Sequence, residues 1–345
     1  MTIFVTGAAG FIGSNFVKEW FKFSDEAVIS IDKLSYAGNI KNLESLNEKF
    51  NHRFIKSDIA SSNFISQLLK EYQPRAIINF AAESHVDRSI SKPDDFINTN
   101  IVATFKLLEE VRFYWDTLFG KNKNDFRFLH ISTDEVYGSL LDNQLPSDES
   151  KAYRPNSPYS ATKAASDHLV RAWNSTYGIP VLTTNCANNY GPYQHPEKLI
   201  PLCISNALNG RNLPIYGDGM QIRDWLYVLD HCSGIRAVLE RGRVGQTYNI
   251  GAVTELTNIS VINTLCELLD KITPKKNSES YKNQIIFIKD RQGHDERYAI
   301  DASKIMSELT WKPNETFSSG IKKTVEWYMA NQEWVRNSRL SIDQS

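Results

Sequence analysis

The chain has 345 residues, 41% of them apolar and 23% charged, with a formal net charge of −1. That length exceeds one ordinary domain, and the apolar share is enough for a sizeable core. The near-neutral balance gives no general field for nucleic acid or anionic lipid, so any phosphate site has to be built locally.

The N-terminus, Met1-Thr2-Ile3-Phe4, lacks the basic stretch and apolar run of a secretory signal. No run of about 18 apolar residues appears, so no membrane span is expected. Cys186, Cys203, Cys232 and Cys266 are widely spaced and form no C-x-x-C pair. Four reduced cysteines, no metal site and a cytoplasmic setting are the expectation.

In chain order, Ile3–Thr6, Val28–Asp32, Arg53–Lys56, Ala76–Phe80, Phe126–Ser132 and Val181–Asn185 read as short buried strands. Between them Phe11–Phe21, Phe64–Tyr72 and Phe96–Tyr114 carry apolar residues at helical spacing. Repeated β-α units predict an α/β fold with a parallel sheet covered on both faces. After about residue 186 the alternation breaks, and prolines and glycines become dense. A smaller lobe carrying a substrate pocket is expected there. Thr273–Asn283 reads as a solvated loop.

Gly7-Ala8-Ala9-Gly10-Phe11-Ile12-Gly13 follows the first strand and opens the first helix. Glycine there permits a sharp turn, close approach of the backbone to a pyrophosphate and tight helix–sheet packing. The helix start then offers free N–H groups to the phosphates. A glycine trio alone is weak evidence. The second strand, however, ends in Asp32, about the expected ~20 residues on. A carboxylate there can bind both ribose hydroxyls of NAD and repel the extra phosphate of NADP. Lys33, Leu34 and Ser35 after that acid, Asp58 and Ile59 after the third strand, and Phe80, Ala81 and Ala82 after the fourth complete this expected cofactor wall.

Tyr159 and Lys163 lie four apart, behind Ser157 and Pro158, which suit a helix start. Such a pair shares one face, with Cβ atoms roughly 5–6 Å apart. A nearby ammonium and a nicotinamide charge favour the phenolate over a phenol whose ordinary pKa is ~10. By itself the pair is equally an ordinary exposed Tyr and Lys. Ser132-Thr133-Asp134-Glu135-Val136-Tyr137-Gly138 shifts the balance, because it ends the fifth strand, where open α/β sheets place ligands. Thr133 can bind a substrate hydroxyl. Asp134 and Glu135 supply two carboxyls, and elimination of water beside a ketone needs an acid and a base.

With these motifs in view, the chain resembles the extended short-chain dehydrogenases that act on nucleotide sugars, closest to their 4,6-dehydratases. The resemblance runs from Gly7 to about Trp311. It rests on the segments at 6–13, 81–90, 132–138, 159–164, 188–201, 223–231 and 293–301. It implies a Rossmann-type doubly wound sheet at 1–186 with a returning segment near 222–252. It also implies a C-terminal substrate lobe at 187–221 and 253–335, with 336–345 as a loose tail. The implied activity is NAD-dependent dehydration of a nucleotide sugar, dTDP-glucose foremost, in a homodimer. Ser84 and Thr99 would line the cofactor site, with Ser84 also near substrate. Asn188 would bind substrate and Asn189 cofactor. Lys198, Leu199, Pro214, Ile215, Tyr216, Arg223, Asn258, Arg291 and His294 would line the nucleotide-diphosphate pocket. Ala187, Met220 and Gln292 depart from the family pattern at the pocket rim. Two rival readings share much of this sequence. A nucleotide-sugar 4-epimerase would need no acid pair at 134–135, and an NAD-binding regulator would need no catalytic set.

Overall fold

The computed structural model describes residues 1–49 and 51–340. Seven strands form one sheet: β1 (Thr2–Thr6), β2 (Ala27–Asp32), β3 (His52–Lys56), β4 (Ala76–Asn79), β5 (Arg127–Thr133), β6 (Val181–Cys186) and β10 (Thr247–Ile250). Their spatial order is β10-β6-β5-β4-β1-β2-β3, and every neighbouring pair is parallel. Such strands read as near-continuous apolar runs because helices cover both faces.

The pleat divides their side chains cleanly. Ile3, Val5, Val28, Ala76, Ile78, Leu129 and Leu182 enter one core with Phe16, Trp20 and the Val228–Arg241 helix. Phe4, Ile29, Ile31, Ile77, Phe128 and Val181 enter the opposite core with the Ser62–Tyr72 and Thr104–Thr117 helices. Each fully buried Ile, Leu or Val contributes about 1.5–3 kcal/mol relative to exposure. A one-residue register slip would exchange the two sets and lose both cores.

The strand order reverses between β1 and β4, since the chain runs outward to β2 and β3 on one side and to β5 and β6 on the other. A crevice opens at such a point, above the carboxyl ends of the strands. The glycine loop, Ala81-Ala82 and Thr133 all sit at those ends.

The second lobe is built on a separate core containing Ile200, Ile204, Leu213, Val261, Leu265 and Tyr328. It holds a three-stranded sheet, β11 (Glu255–Thr257), β9 (Ile222–Tyr227) and β7 (Asn188–Tyr190), and a pair formed by β12 (Ile285–Ile288) and β8 (Leu213–Tyr216).

Sequence-based boundaries differ in four places. β9, expected in the returning segment, pairs with β7 and β11. Residues 300–311, expected in the substrate lobe, pack on the large sheet through Ile300, Ile305, Leu309 and Trp311. The expected loop at 273–283 ends in a 3-10 turn, Tyr281–Gln284, anchored by buried Tyr281. Helix Gln332–Leu340 occupies the start of the expected loose tail, because buried Val335 packs on the second core. Residues 341–345 of that tail lie outside the described residues. No helix among the described residues is long and apolar enough to cross a membrane.

Candidate active site

The glycine loop is shaped by its lack of side chains. Gly7 has φ +64°, and a Cβ there would lie 2.7 Å from the Phe80 carbonyl carbon and the Ala81 nitrogen. Gly10 caps helix Phe11–Phe23 without any side-chain bond, and no acid lies in the first turn. The amides of that turn are therefore left to an anion. Asp32 ends β2, buried, with Oδ2 accepting from Ala9 N at 2.9 Å and Oδ1 from Leu34 N at 2.7 Å. Burial pushes its carboxyl up, while those two bonds and Lys33 oppose the shift.

One cleft joins this loop to Lys33, Ser35, Asp58, Ile59, Phe80, Ala81, Ala82, Ser84, Thr99 and Asn189. Lys33 Nζ reaches Thr99 Oγ1 at 2.9 Å. Leu34 is the exception: its φ of +57° turns the chain, and its side chain packs on the sheet core. Asn188 Oδ1, Gln194 Oε1 and His195 Nε2 line the cleft, buried and without hydrogen-bond partners. Buried polar atoms are rarely left so. The uncapped helix start, the ribose-length acid and these unmet groups together fit a dinucleotide with a polar second ligand.

The same cleft reaches Thr133, Asp134, Glu135, Tyr159 and Lys163. Tyr159 sits in the first turn of helix Pro158–Tyr177, which starts with a Ser157–Ser160 capping box and proline at its first position. Four residues on, Lys163 Nζ donates to the Ile131 carbonyl at 2.8 Å and lies 3.5 Å from His130 Nε2. His130 is held by Asp167 at 3.3 Å, and Asp167 also accepts from Ser132 Oγ and Tyr153 Oη.

The expected activation of Tyr159 by its lysine is not present in the protein alone. Burial pushes the phenol well above its ordinary value, helped by the charge of Glu135, with a bond to Thr133 opposing. The ammonium is directed to the β5 backbone, so a positive group on the open side of the ring is still needed.

The two carboxyls differ in surroundings. Asp134 is buried, accepts at Oδ1 from Thr133 Oγ1 at 3.3 Å, and has an unpartnered Oδ2. Burial, then the charges of Glu135 and Asp224, push it well above the carboxylate range. Burial raises Glu135 too, but Arg291, Arg223 and Lys198 pull it back. Adjacent carboxyls cannot both ionise cheaply. Of the two, Asp134 is pushed further toward its neutral form.

Of the residues expected in the nucleotide-diphosphate pocket, Lys198 lines the cleft, while Tyr216, Asn258, Arg291 and His294 lie outside its lining on the second lobe. Arg291 lies 3.4 Å from Asp87, and Tyr216 Oη donates to Asp87 at 3.2 Å. His294 stands edge-on to Tyr216, with Nδ1 2.6 Å from Asp290. Asn258 joins through Gln221, which also donates to Asp290. Lys198 Nζ donates to the Ser84 carbonyl at 3.1 Å.

Comparison with known proteins places this geometry. The family model described as GDP-mannose 4,6 dehydratase matches residues 4–324. The chain is 55% identical to dTDP-glucose 4,6-dehydratase of Salmonella typhimurium, covering 100% of this chain and 97% of that protein. It is 56% identical to the enzyme of the same name from Xanthomonas campestris pv. campestris, covering 97% and 95%. The dTDP-glucose 4,6-dehydratase DesIV from Streptomyces venezuelae, solved with NAD and TYD bound, superposes with a TM-score of 0.89 at 41% identity, covering 98% of this chain and 100% of that one. The chain belongs to the dTDP-glucose 4,6-dehydratase family.

Members of the dTDP-glucose 4,6-dehydratase family are NAD-dependent hydro-lyases on a Rossmann-type fold, the fold found here. Several residues implied by the resemblance sit differently from expectation. Ile215 is fully buried in the second core, and Leu199 packs against that core. Pro214 precedes Ile215 in β8, and none of the three lines the cleft. Arg223 is buried over the Tyr298 ring, and its donors reach the carbonyls of Ile222, Asp295 and Glu296. It acts on Glu135 and Asp134 by charge. Its expected fork on phosphate is not set up here, since the groove carbonyls use those N–H groups. Sequence reasoning also missed Tyr36, Gly38, Gln194, His195 and Glu197, all on the cleft. Gln194, His195 and Glu197 lay inside the segment at 188–201, but no spacing distinguished them from turn residues.

Proposed function

We propose that this chain converts dTDP-glucose to dTDP-4-keto-6-deoxyglucose and water, with Thr133, Asp134, Glu135, Tyr159 and Lys163 as its working set. The observation that carries this reading is the adjacent, unequal carboxyl pair on the cleft that holds Tyr159. NAD, when bound, supplies the hydride acceptor for sugar C4 and the hydride donor for C6. The loop at Gly7, Gly10, Phe11, Ile12 and Gly13 would hold its pyrophosphate, and Asp32 its adenosine ribose. Ala81, Ala82, Tyr159 and Lys163 would flank its nicotinamide end.

Thr133 positions the C4 hydroxyl, and Tyr159 takes its proton. With NAD held by these residues, the nicotinamide charge would supply the cation that Tyr159 lacks and favour the phenolate. Once C4 is a ketone, the C5 proton is acidic. Glu135 removes it, and Asp134 gives its proton to the departing C6 hydroxyl. Glu135 then returns a proton to C5. Lys163 is fixed to the Ile131 carbonyl beneath the site.

Ser84, Asn188 and Lys198 face the sugar and diphosphate, and Tyr216, Arg291 and His294 face the nucleotide. Exposed Val102, Phe105 and Phe113 on the segment from 97 to 117 support a homodimer. A cytoplasmic enzyme free of membrane and nucleic acid suits the near-neutral charge. A 4-epimerase would leave the Asp134–Glu135 pair without work.

Incubation with dTDP-glucose followed by mass spectrometry tests the reading. A product lighter by one water is expected, and an isobaric product would replace dehydration with epimerisation. Glu135→Gln should still oxidise C4 but stall before water loss. Normal turnover by that variant would remove Glu135 from its role.

A further inference from the structure

The carbonyl of Ala9, inside the glycine loop, is tied through Asn39 and Asn42 to the C-terminal helix. It accepts from Asn39 N at 3.0 Å and from Asn42 Nδ2 at 2.9 Å. Asn42 is buried, and its other amide atom, Oδ1, accepts from Trp334 Nε1 at 2.8 Å. A carbonyl can only accept and an indole N–H can only donate, so the two partners fix one orientation of the Asn42 amide. Asn39 Nδ2 lies 3.3 Å from Ser338 Oγ on the same C-terminal helix. That helix is anchored on its other side by Trp327 and Tyr328, whose ring centroids lie 5.1 and 6.3 Å from Trp334.

We propose that the Gln332–Leu340 helix locks the cofactor loop, with Trp334 as a positioning residue acting through Asn42 on the Ala9 carbonyl. The proposal rests on the NAD reading of the cleft. Ala9 also donates to Asp32, so the relay orients the loop and the ribose-binding acid together. A loop held at both the N–H and the carbonyl of Ala9 loses little freedom when the pyrophosphate binds, and releases it slowly. Trp334 itself lines a hollow beside the cleft rather than the cleft.

Trp334→Phe keeps a ring in the aromatic cluster and removes the indole N–H together with part of the bicyclic ring. Removing one such bond should speed NAD release from the holoenzyme about three- to tenfold. At saturating NAD, the KM for the sugar nucleotide should be unchanged. In an Asn42→Ala background, Trp334→Phe should add nothing further, since the link is already cut. If Asn42→Ala does not fold, faster hydrogen exchange at the Gly10 amide in Trp334→Phe is the substitute readout, and unchanged exchange counts against the relay. Unaltered NAD release with a lowered melting temperature, or additive effects in the double variant, would overturn the relay. A wild-type chain that binds no NAD would overturn the cofactor reading first, and the relay with it.

Discussion

At the residue scale, the proposed chemistry divides one proton between two neighbouring carboxyls. Asp134 is buried and Glu135 only partly so. Cations from elsewhere widen the difference: Arg291, Arg223 and Lys198 all favour ionised Glu135. The direction of an engineered change follows. Arg291→Gln removes a positive charge, so the charged form of Glu135 loses support and its pKa rises. The base is then protonated over more of the acid range. The acid limb of the kcat–pH profile should move to higher pH by about one unit or less. A limb that stays in place, or moves down, would show that Arg291 does not tune Glu135. The acid pair was legible from sequence as two letters after Thr133. Its three supporting cations lie 63 or more positions away and carry no local pattern that points to it.

At the element scale, the helix that carries Tyr159 and Lys163 starts where its sequence says it should. Ser157 Oγ accepts from Ser160 N at 3.0 Å, and Ser160 Oγ accepts from Ser157 N at 3.0 Å. Ser157→Ala removes one half of this box and should lower stability by about 1 kcal/mol. A denaturant midpoint should fall with the slope unchanged, and Ser157→Asp should restore most of the loss. No change in midpoint would mean that the fold, not the cap, fixes the helix start. The Phe96–Tyr114 segment is harder to read. Apolar spacing predicted one helix, but residues Ile97–Ala103 form a π-helical stretch. Its reason is tertiary: Asn100 accepts from Glu83 N at 2.8 Å and donates to the Glu83 carbonyl and Thr162 Oγ1. Those three bonds reward a wider turn that local propensity would not choose.

At the scale of the whole molecule, one face remains open. Phe105, partly exposed beside Trp173, lies near exposed Phe113 and Val102 on the same segment. Light scattering should report twice the 39.4 kDa chain mass. Phe105→Glu with Phe113→Glu should yield the single-chain mass with the fold retained. A wild-type protein that stays at 39.4 kDa at micromolar concentration would remove the dimer. The Asp295–Arg297 stretch ties the second lobe to the first, since Asn156 Nδ2 donates to Asp295 and Leu140 N to the Arg297 carbonyl, and Arg223 and Arg291 of the second lobe act by charge on Glu135 of the first.

By itself the sequence determined the alternation of strands and helices, the glycine turn, the ribose acid and the Tyr–Lys and Asp–Glu pairs. Each of these is encoded within a few residues, by side-chain period or by a turn that only glycine can make. Only the tertiary structure decided which carboxyl is pushed further toward neutrality, where the lysine points, which residues line the cleft and what holds the glycine loop. Those outcomes depend on burial and on charges brought together from distant parts of the chain. Short-range pattern carries no information about the distance between residues 42 and 334, or between 135 and 291.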